Sequence, residues 1–283
     1  MRRLGAYVHL MRPVNCLMMG FAVLVGAALV RENSANVSVL SLIYGFVTGF
    51  TLTAASMAIN DYYDREIDAV NEPHRPIPSG LVKPKTALAF ALGLTTIGFV
   101  AAYLTNTFCL LTAIIAWIIF VGYTTVGKRS GLPGNFLVSL CVAIPFIYGS
   151  IAVTRIVELN VFLFACMAFL SNTGREITKG IVDVAGDKEH GVKTVAVRLG
   201  EKNAAAVAVV FYLAAIALSL IPWSLNLVSV WFVPFVAVTD VGLAVSSIAL
   251  LKDCSRENAR RVKRTVLVWF TFGLLAFVVG TLR

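Results

Sequence analysis

The sequence predicts an all-α integral membrane protein, a bundle of nine transmembrane helices with a cytoplasmic N-terminus. Three observations predict it. Of 283 residues, 58% are hydrophobic and 14% charged, and the mean hydropathy is +0.84; soluble domains hold about 45–50% apolar and roughly 25% charged residues. Apolar runs of about 20 residues recur, the length that crosses a hydrocarbon core as a helix. Lys and Arg are sorted between alternate loops, as in proteins that keep their basic residues inside.

The runs fall at approximately 13–30, 37–60, 86–103, 108–126, 136–153, 159–174, 204–222, 228–251 and 265–281. The first begins at Pro13 and continues into protein-like sequence with no cleavage signature, so it reads as a retained helix. With the N-terminus inside, 21 of the 24 Lys and Arg lie on the inner face, leaving Arg31, Arg155 and Arg283 outside. The net charge of +9 therefore faces anionic membrane lipid, and nucleic acid is not implied. A sequon at Asn36-Val37-Ser38 falls on the outer side. The five cysteines form no CxxC, and four lie in apolar runs, so they read as small buried hydrophobes. The chain reads as one polytopic domain, 1–283, with Asp-rich cytoplasmic loops at 61–85 and 175–203.

The acids are sorted as well. Five of the 15 Asp and Glu lie in residues 61–72 and five in residues 176–201. In "AINDYYDREIDAVNEPHRPIPSG", Asn60, Asp64 and Asp68 are spaced i, i+4, i+8. One helix running past the membrane would put them on one face, about 6 Å apart, with Asp61 about 100° away. That helix should stop before Pro73, and "RPIPSG", with Arg75, cannot continue it. In "REITKGIVDVAGDKEHGVKT", Asp183 and Asp187 repeat the spacing, and Glu176 and Lys179 share the face of Asp183.

The same device thus occurs twice, separated by four spans, which predicts two parallel-related halves. Asp pairs facing each other across a bundle would crowd carboxylates, which resist joint ionisation unless a cation lies between them. Oxygen ligands without His or Cys favour Mg²⁺, which completes its shell with water and phosphate oxygens. Arg75, Lys128, Arg129 and Lys193 share the cytoplasmic loops and suit phosphate. A diphosphate and metal at the mouth of an apolar bundle suit a prenyl diphosphate. The plainer alternative is that the carboxylates only solvate helix ends and balance nearby bases.

"NDYYDREIDAVNEPHRPIPSG", "GYTTVGKRSGLPGN" and "DVAGDKEHGVKT" resemble the signatures of the UbiA superfamily of intramembrane prenyltransferases. The resemblance covers nearly the whole chain. It implies a first metal site from Asn60, Asp64 and Asp68 and a second from Asp183 and Asp187, with Glu176 and Asp61 as further candidates. It implies diphosphate binding by Arg75 and Lys128, with Lys179 and Lys193 beside them, and places Tyr123 near the allylic carbon. The spacing from Tyr123 to Lys128 is five, where some members use four, and Gly180 stands where related sequences often carry Asp.

"LMRPVNC" with "NEPHRPIPSG" looks most like the archaeal branch, whose members add a second geranylgeranyl chain to a glycerol phosphate ether. The implied chemistry is alkylation by an allylic diphosphate, with Mg²⁺, Arg75 and Lys128 neutralising the leaving group. Apolar and aromatic walls would protect the allylic cation from water. The donor would be geranylgeranyl diphosphate and the acceptor geranylgeranylglyceryl phosphate. A phosphorylated acceptor calls for further basic residues, for which Arg12 and Asn15 are candidates; their ordinary alternative is interfacial anchoring.

Asp240 lies within an apolar run, where a carboxylate is expensive. It reads as protonated or paired with a Thr or Tyr on a neighbouring helix. Two rivals remain at this stage: an aromatic acceptor such as 4-hydroxybenzoate, chlorophyllide or haem, and a secondary transporter. A transporter would gather polar groups at the midplane, where this chain has only Asp240.

Overall fold

The computed structural model describes residues 2–30, 38–189 and 191–282. Arg31, the Asn36 sequon, His190 and Arg283 lie outside the described residues. All regular structure among the described residues is helical: α1 (Arg2–Met11), α2 (Pro13–Ala28), α3 (Val39–Tyr63), α4 (Arg65–Asn71), α5 (Pro84–Thr105), α6 (Thr107–Thr125), α7 (Leu132–Thr154), α8 (Leu159–Val182), α9 (Val184–Glu189), α10 (Val195–Leu199), α11 (Glu201–Ser224), α12 (Phe232–Lys252) and α13 (Arg256–Gly280). A 3-10 turn over Gly127–Arg129 joins α6 to α7.

Seven helices are long and apolar enough to cross a membrane: α3, α5, α6, α7, α11, α12 and α13. The pair Leu4–Met11 and Pro13–Ala28, bent by 48°, makes an eighth if it counts as one broken span. The count is therefore seven or eight, where the sequence predicted nine. The difference is α8, which has 24 residues but carries Asn172, Thr173, Arg175, Glu176 and Lys179 in its C-terminal half. The first span also differs, because the N-terminal residues form α1 rather than a simple tail. Pro13 sets the bend: it disfavours helical backbone at the residue before it, and Arg12 takes φ +53°. In the spans only 17–39% of the apolar window is buried, so most apolar side chains face outward, as lipid requires.

The chain divides into two compact units, each described in its own right. The first comprises the described residues within Met1–Ala27, Glu32–Thr125 and Ile144–Val157. Its α3 packs along α5, and α1 lies on α3. Leu10, Ala58, Ile77, Val82, Ala87 and Ala91 form one buried cluster, which anchors the "RPIPSG" turn through Ile77. Gly80 closes that turn at φ +75°, its N–H donating to Ile77 O at 3.0 Å. A second cluster joins Val23, Ala102, Cys109, Ala113, Tyr148 and Ile151. There Tyr148 Oη bonds the Thr48 and Thr105 hydroxyls at 3.2 and 3.4 Å.

The second unit comprises the described residues within Ala28–Arg31, Val126–Ala143 and Glu158–Arg283. Its α8 packs on α11 and α13, and α12 packs on α11 and α13. Ile177, Ile181, Ala204, Ala208, Tyr212, Leu243 and Val262 belong to its core. Several polar side chains of α8 bond within the unit: Asn172 and Thr173 bond Ser139 at 3.1 and 2.9 Å, and Thr178 shares a 3.1 Å hydrogen bond with Tyr212. Asp240 accepts a 2.7 Å hydrogen bond from Ser219 of α11. Its partner is thus a serine rather than the expected Thr or Tyr.

Where α2 meets α7 in the first unit, the backbones touch. A Cβ on Gly26 would strike Phe146 O, and one on Gly149 would strike Val23 O. A side chain there must drive the helices apart, and overpacking costs about 1–3 kcal/mol. Gly149→Val is expected to lower the melting temperature in detergent by several degrees, read by differential scanning fluorimetry. Gly93→Ala, where a Cβ meets nothing within 4 Å, should leave it unchanged.

Candidate functional site

Both acidic segments are built alike. In the first, α3 ends at Tyr63, and Asp64 is at once its C-cap and the N-cap of α4, with φ −83° and ψ −1°. In the second, α8 ends at Val182, and Asp183 caps it with φ −100° and ψ 5° before α9 begins. The predicted single helix through Asn60, Asp64 and Asp68 is therefore two helices with a one-residue break. The i→i+4 bonding nonetheless continues: Asp64 N–H to Asn60 O at 2.9 Å and Asp68 N–H to Asp64 O at 2.8 Å. The second segment matches, with Asp183 N–H to Lys179 O at 3.1 Å and Asp187 N–H to Asp183 O at 2.9 Å. In each, the first aspartate sits at the break and the second on the short helix after it.

In the first unit the structure brings together six predicted residues. Arg12 donates to Asp61 Oδ1 at 2.5 Å. Arg75 donates to Asp68 Oδ2 at 2.6 Å and stands 3.6 Å from Asp61. Asn60 Nδ2 donates to Asp64 Oδ2 at 2.9 Å. Asp61 is only 4% exposed, and Arg12, at 34%, covers it from the α1–α2 bend. Asp61 thus has two guanidinium groups beside it. Arg12 also donates to Met57 Sδ at 3.5 Å, and Asn15 points to the same sulfur at 4.0 Å, so both lie beside the first acidic segment. Forty-nine residues separate Arg12 from Asp61, so no local pattern shows the pair.

In the second unit, Glu176 pairs with Arg175 at 3.1 Å and with Lys179 at 3.5 Å. Lys193 N–H donates to Arg129 O at 3.4 Å, and the Lys193 carbonyl packs against Gly131, held at φ +80°. This joins the loop of exposed Lys193 to the 3-10 turn of exposed Lys128. Tyr123 is half-buried on the last turn of α6, in the first unit. Sequence reasoning missed Arg175, Arg256, Arg260 and Lys263. Arg256 donates to the Val182 carbonyl at 3.1 Å, fastening α13 to the end of α8. The available signal was the i, i+4, i+7 spacing of 256, 260 and 263, which had served only as loop charge.

Among the described residues, no three His, Cys, Asp or Glu converge as a ready-made metal site. The donors present still fit Mg²⁺. They are oxygens from carboxylates and an amide, and the Asn60 nitrogen bonded to Asp64 leaves the Asn60 carbonyl oxygen as its other polar face. A cation that takes one or two carboxylates and completes its shell with water and phosphate needs no denser cluster.

The fold and these segments define a multi-pass membrane protein with paired acidic helix ends. Residues 19–280 match the UbiA prenyltransferase family, and the chain belongs to it. It is 35% identical over 287 residues to the digeranylgeranylglyceryl phosphate synthase of Korarchaeum cryptofilum, covering 100% of this chain and 99% of that one. It is 36% identical to that of Archaeoglobus fulgidus, covering 99% and 96%. A solved structure of a digeranylgeranylglyceryl phosphate synthase superposes with TM-score 0.88 at 29% identity, over 99% of both chains. A UbiA homologue from Archaeoglobus fulgidus, solved with GPP and Mg²⁺, shares the fold at TM-score 0.71 and 17% identity, covering 96% of this chain and 99% of that one.

Removing one partner of a buried ion pair costs about 3–5 kcal/mol; Arg12 is partly exposed, so about 2 kcal/mol is expected here. Arg12→Ala should lower stability more than Arg12→Ala combined with Asp61→Asn, because the double variant strands no charge. Urea titration of the four proteins checks this, and equal losses would remove the pair from the account.

Proposed function

We propose that this protein transfers a geranylgeranyl group from geranylgeranyl diphosphate to geranylgeranylglyceryl phosphate, forming digeranylgeranylglyceryl phosphate and releasing diphosphate. The observation that carries the reading is the repeated helix end, an apolar helix that breaks at one aspartate and presents a second a turn later. Full-length identity to archaeal digeranylgeranylglyceryl phosphate synthases supports the choice of acceptor.

Residues 1–283 act as one catalytic domain of nine spans, with α8 the ninth and the N-terminus and both acidic segments on the cytoplasmic side. The charge sorting of 21 inner and 3 outer Lys and Arg supports this topology. Asn60, Asp64 and Asp68 hold one Mg²⁺, and Asp183 and Asp187 another. When bound, Mg²⁺ neutralises charge on the leaving diphosphate. Arg75 neutralises Asp68 until substrate arrives and then turns its guanidinium to the diphosphate. Lys128, Lys179 and Lys193 supply further positive charge. Glu176 orients Lys179. Tyr123 offers its ring face to the allylic carbon, where a cation is stabilised. The acceptor hydroxyl oxygen bonds that carbon as the carbon–diphosphate bond breaks, and the hydroxyl proton passes to the departing diphosphate.

The purified protein in lipid, given labelled geranylgeranyl diphosphate and Mg²⁺, should prenylate geranylgeranylglyceryl phosphate. Transfer to 4-hydroxybenzoate alone would move it to an aromatic acceptor. EDTA should stop turnover and added Mg²⁺ restore it. Asp64→Asn, Asp183→Asn and Asp187→Asn should each slow turnover by about 100-fold or more, the scale of losing a contact to developing charge. Full activity in any of them removes that residue from the site.

A further inference from the structure

The second unit carries a cationic face that its own carboxylates do not balance. On α8, Arg175 and Lys179 follow at i and i+4, with Glu176 beside them and Asp183 capping the helix. On α13, Arg256, Arg260 and Lys263 follow at i, i+4 and i+7. These helices pack along each other, and Arg256 pins their ends together through Val182 O. Half-buried Lys263 lies within electrostatic reach of Asp183, Lys179, Arg175 and Arg260. The packed ends of α8 and α13 thus carry five cations against two carboxylates, Glu176 and Asp183, and Glu257 lies 3.8 Å from Arg261. The buried Nε of Arg175 has no acceptor, although its other end holds Glu176.

Like charges gathered on packed helices repel unless an anion joins them. The anion must bring several acceptor oxygens, because guanidinium and ammonium groups approach from both helices. It must also suit a position where an apolar helix emerges, which favours the phosphate of a lipid-like molecule.

We propose that Arg175, Arg260 and Lys263 bind the phosphomonoester of the acceptor lipid, so that the α8–α13 face sets acceptor specificity. This rests on the acceptor assigned above. Lys179 lies between this phosphate and the second aspartate pair, and Arg256 acts as a positioning residue through its bond to Val182 O.

The test uses the full chain in lipid vesicles, with KM measured separately for the two substrates. Arg260→Ala and Lys263→Ala should each raise the KM for geranylgeranylglyceryl phosphate about tenfold or more, the scale of a lost charged hydrogen bond. The KM for geranylgeranyl diphosphate should stay within about twofold of wild type under this proposal, because the donor diphosphate is assigned to other residues. Lys263→Arg should recover most of the loss. A rise in the donor KM instead, or no change in either, overturns the proposal. Exposed Arg260 keeps the test readable should Lys263→Ala fold poorly. Phosphatidylglycerol, a phosphodiester, should not compete with the acceptor; equal competition assigns the face to bulk anionic lipid and overturns the proposal. Inorganic phosphate binding, measured calorimetrically without donor or Mg²⁺, reads the cluster apart from the reaction. It should weaken in Lys263→Ala and persist in Asp64→Asn, and equal binding by all three proteins counts against the cluster. Failure of the wild type to use geranylgeranylglyceryl phosphate would overturn the proposed function, whereas normal turnover with unmoved acceptor KM in the variants overturns this inference alone.

Discussion

A carboxylate at the end of an apolar helix persists only if a cation meets it, and that constraint organises this protein. Asp61 and Asp68 are held by Arg12 and Arg75, and Glu176 by Arg175 and Lys179. The first two arginines come from chain breaks, the α1–α2 bend and the "RPIPSG" turn. Those breaks exist because Pro13 and the prolines around Arg75 forbid continued helix. The covalent rigidity of a few prolines thus places the guanidinium groups that make an acidic helix end tolerable. With a prenyl diphosphate bound, metal ions would share that task, and a guanidinium released from a carboxylate can bind phosphate.

The two acidic ends solve one problem by one means. Each keeps its i→i+4 hydrogen bonds through the break, so the second aspartate stays near the first while the backbone turns. The surroundings differ. The first follows a stretch of α3 whose Ala58 packs in an apolar cluster with Ile77 and Val82, whereas the second follows the polar half of α8, whose hydroxyls and amide bond within the unit. That polarity is why α8 fails a simple test for a membrane span while still packing at the centre of its unit.

The apolar runs were legible because lipid demands long uninterrupted helices. Each run falls on a helix, but α8 runs on to Val182 where the run ended at 174, and α13 begins at Arg256 where the run began at 265; only seven or eight read as crossings by length and composition. The aspartate spacing was legible because four residues are one helical turn. The breaks at Asp64 and Asp183 were not, since neither residue is a helix breaker and neither is followed by Gly or Pro. Nor was the pairing of Arg12 with Asp61 visible, since it depends on α1 folding back onto α3. The face formed by Arg175, Arg260 and Lys263 needs two helices some 80 residues apart in the chain to pack together, and each half of it alone reads as ordinary inner-face charge.

The central claim is that each aspartate pair holds its own metal ion. It is tested most directly by counting Mn²⁺ with electron paramagnetic resonance, using the protein bound to a non-reactive thiodiphosphate analogue of the donor. The account predicts two ions in the wild type, with one lost in Asp64→Asn and one lost in Asp187→Asn. Two ions retained in either variant, or none bound in the wild type, would contradict it.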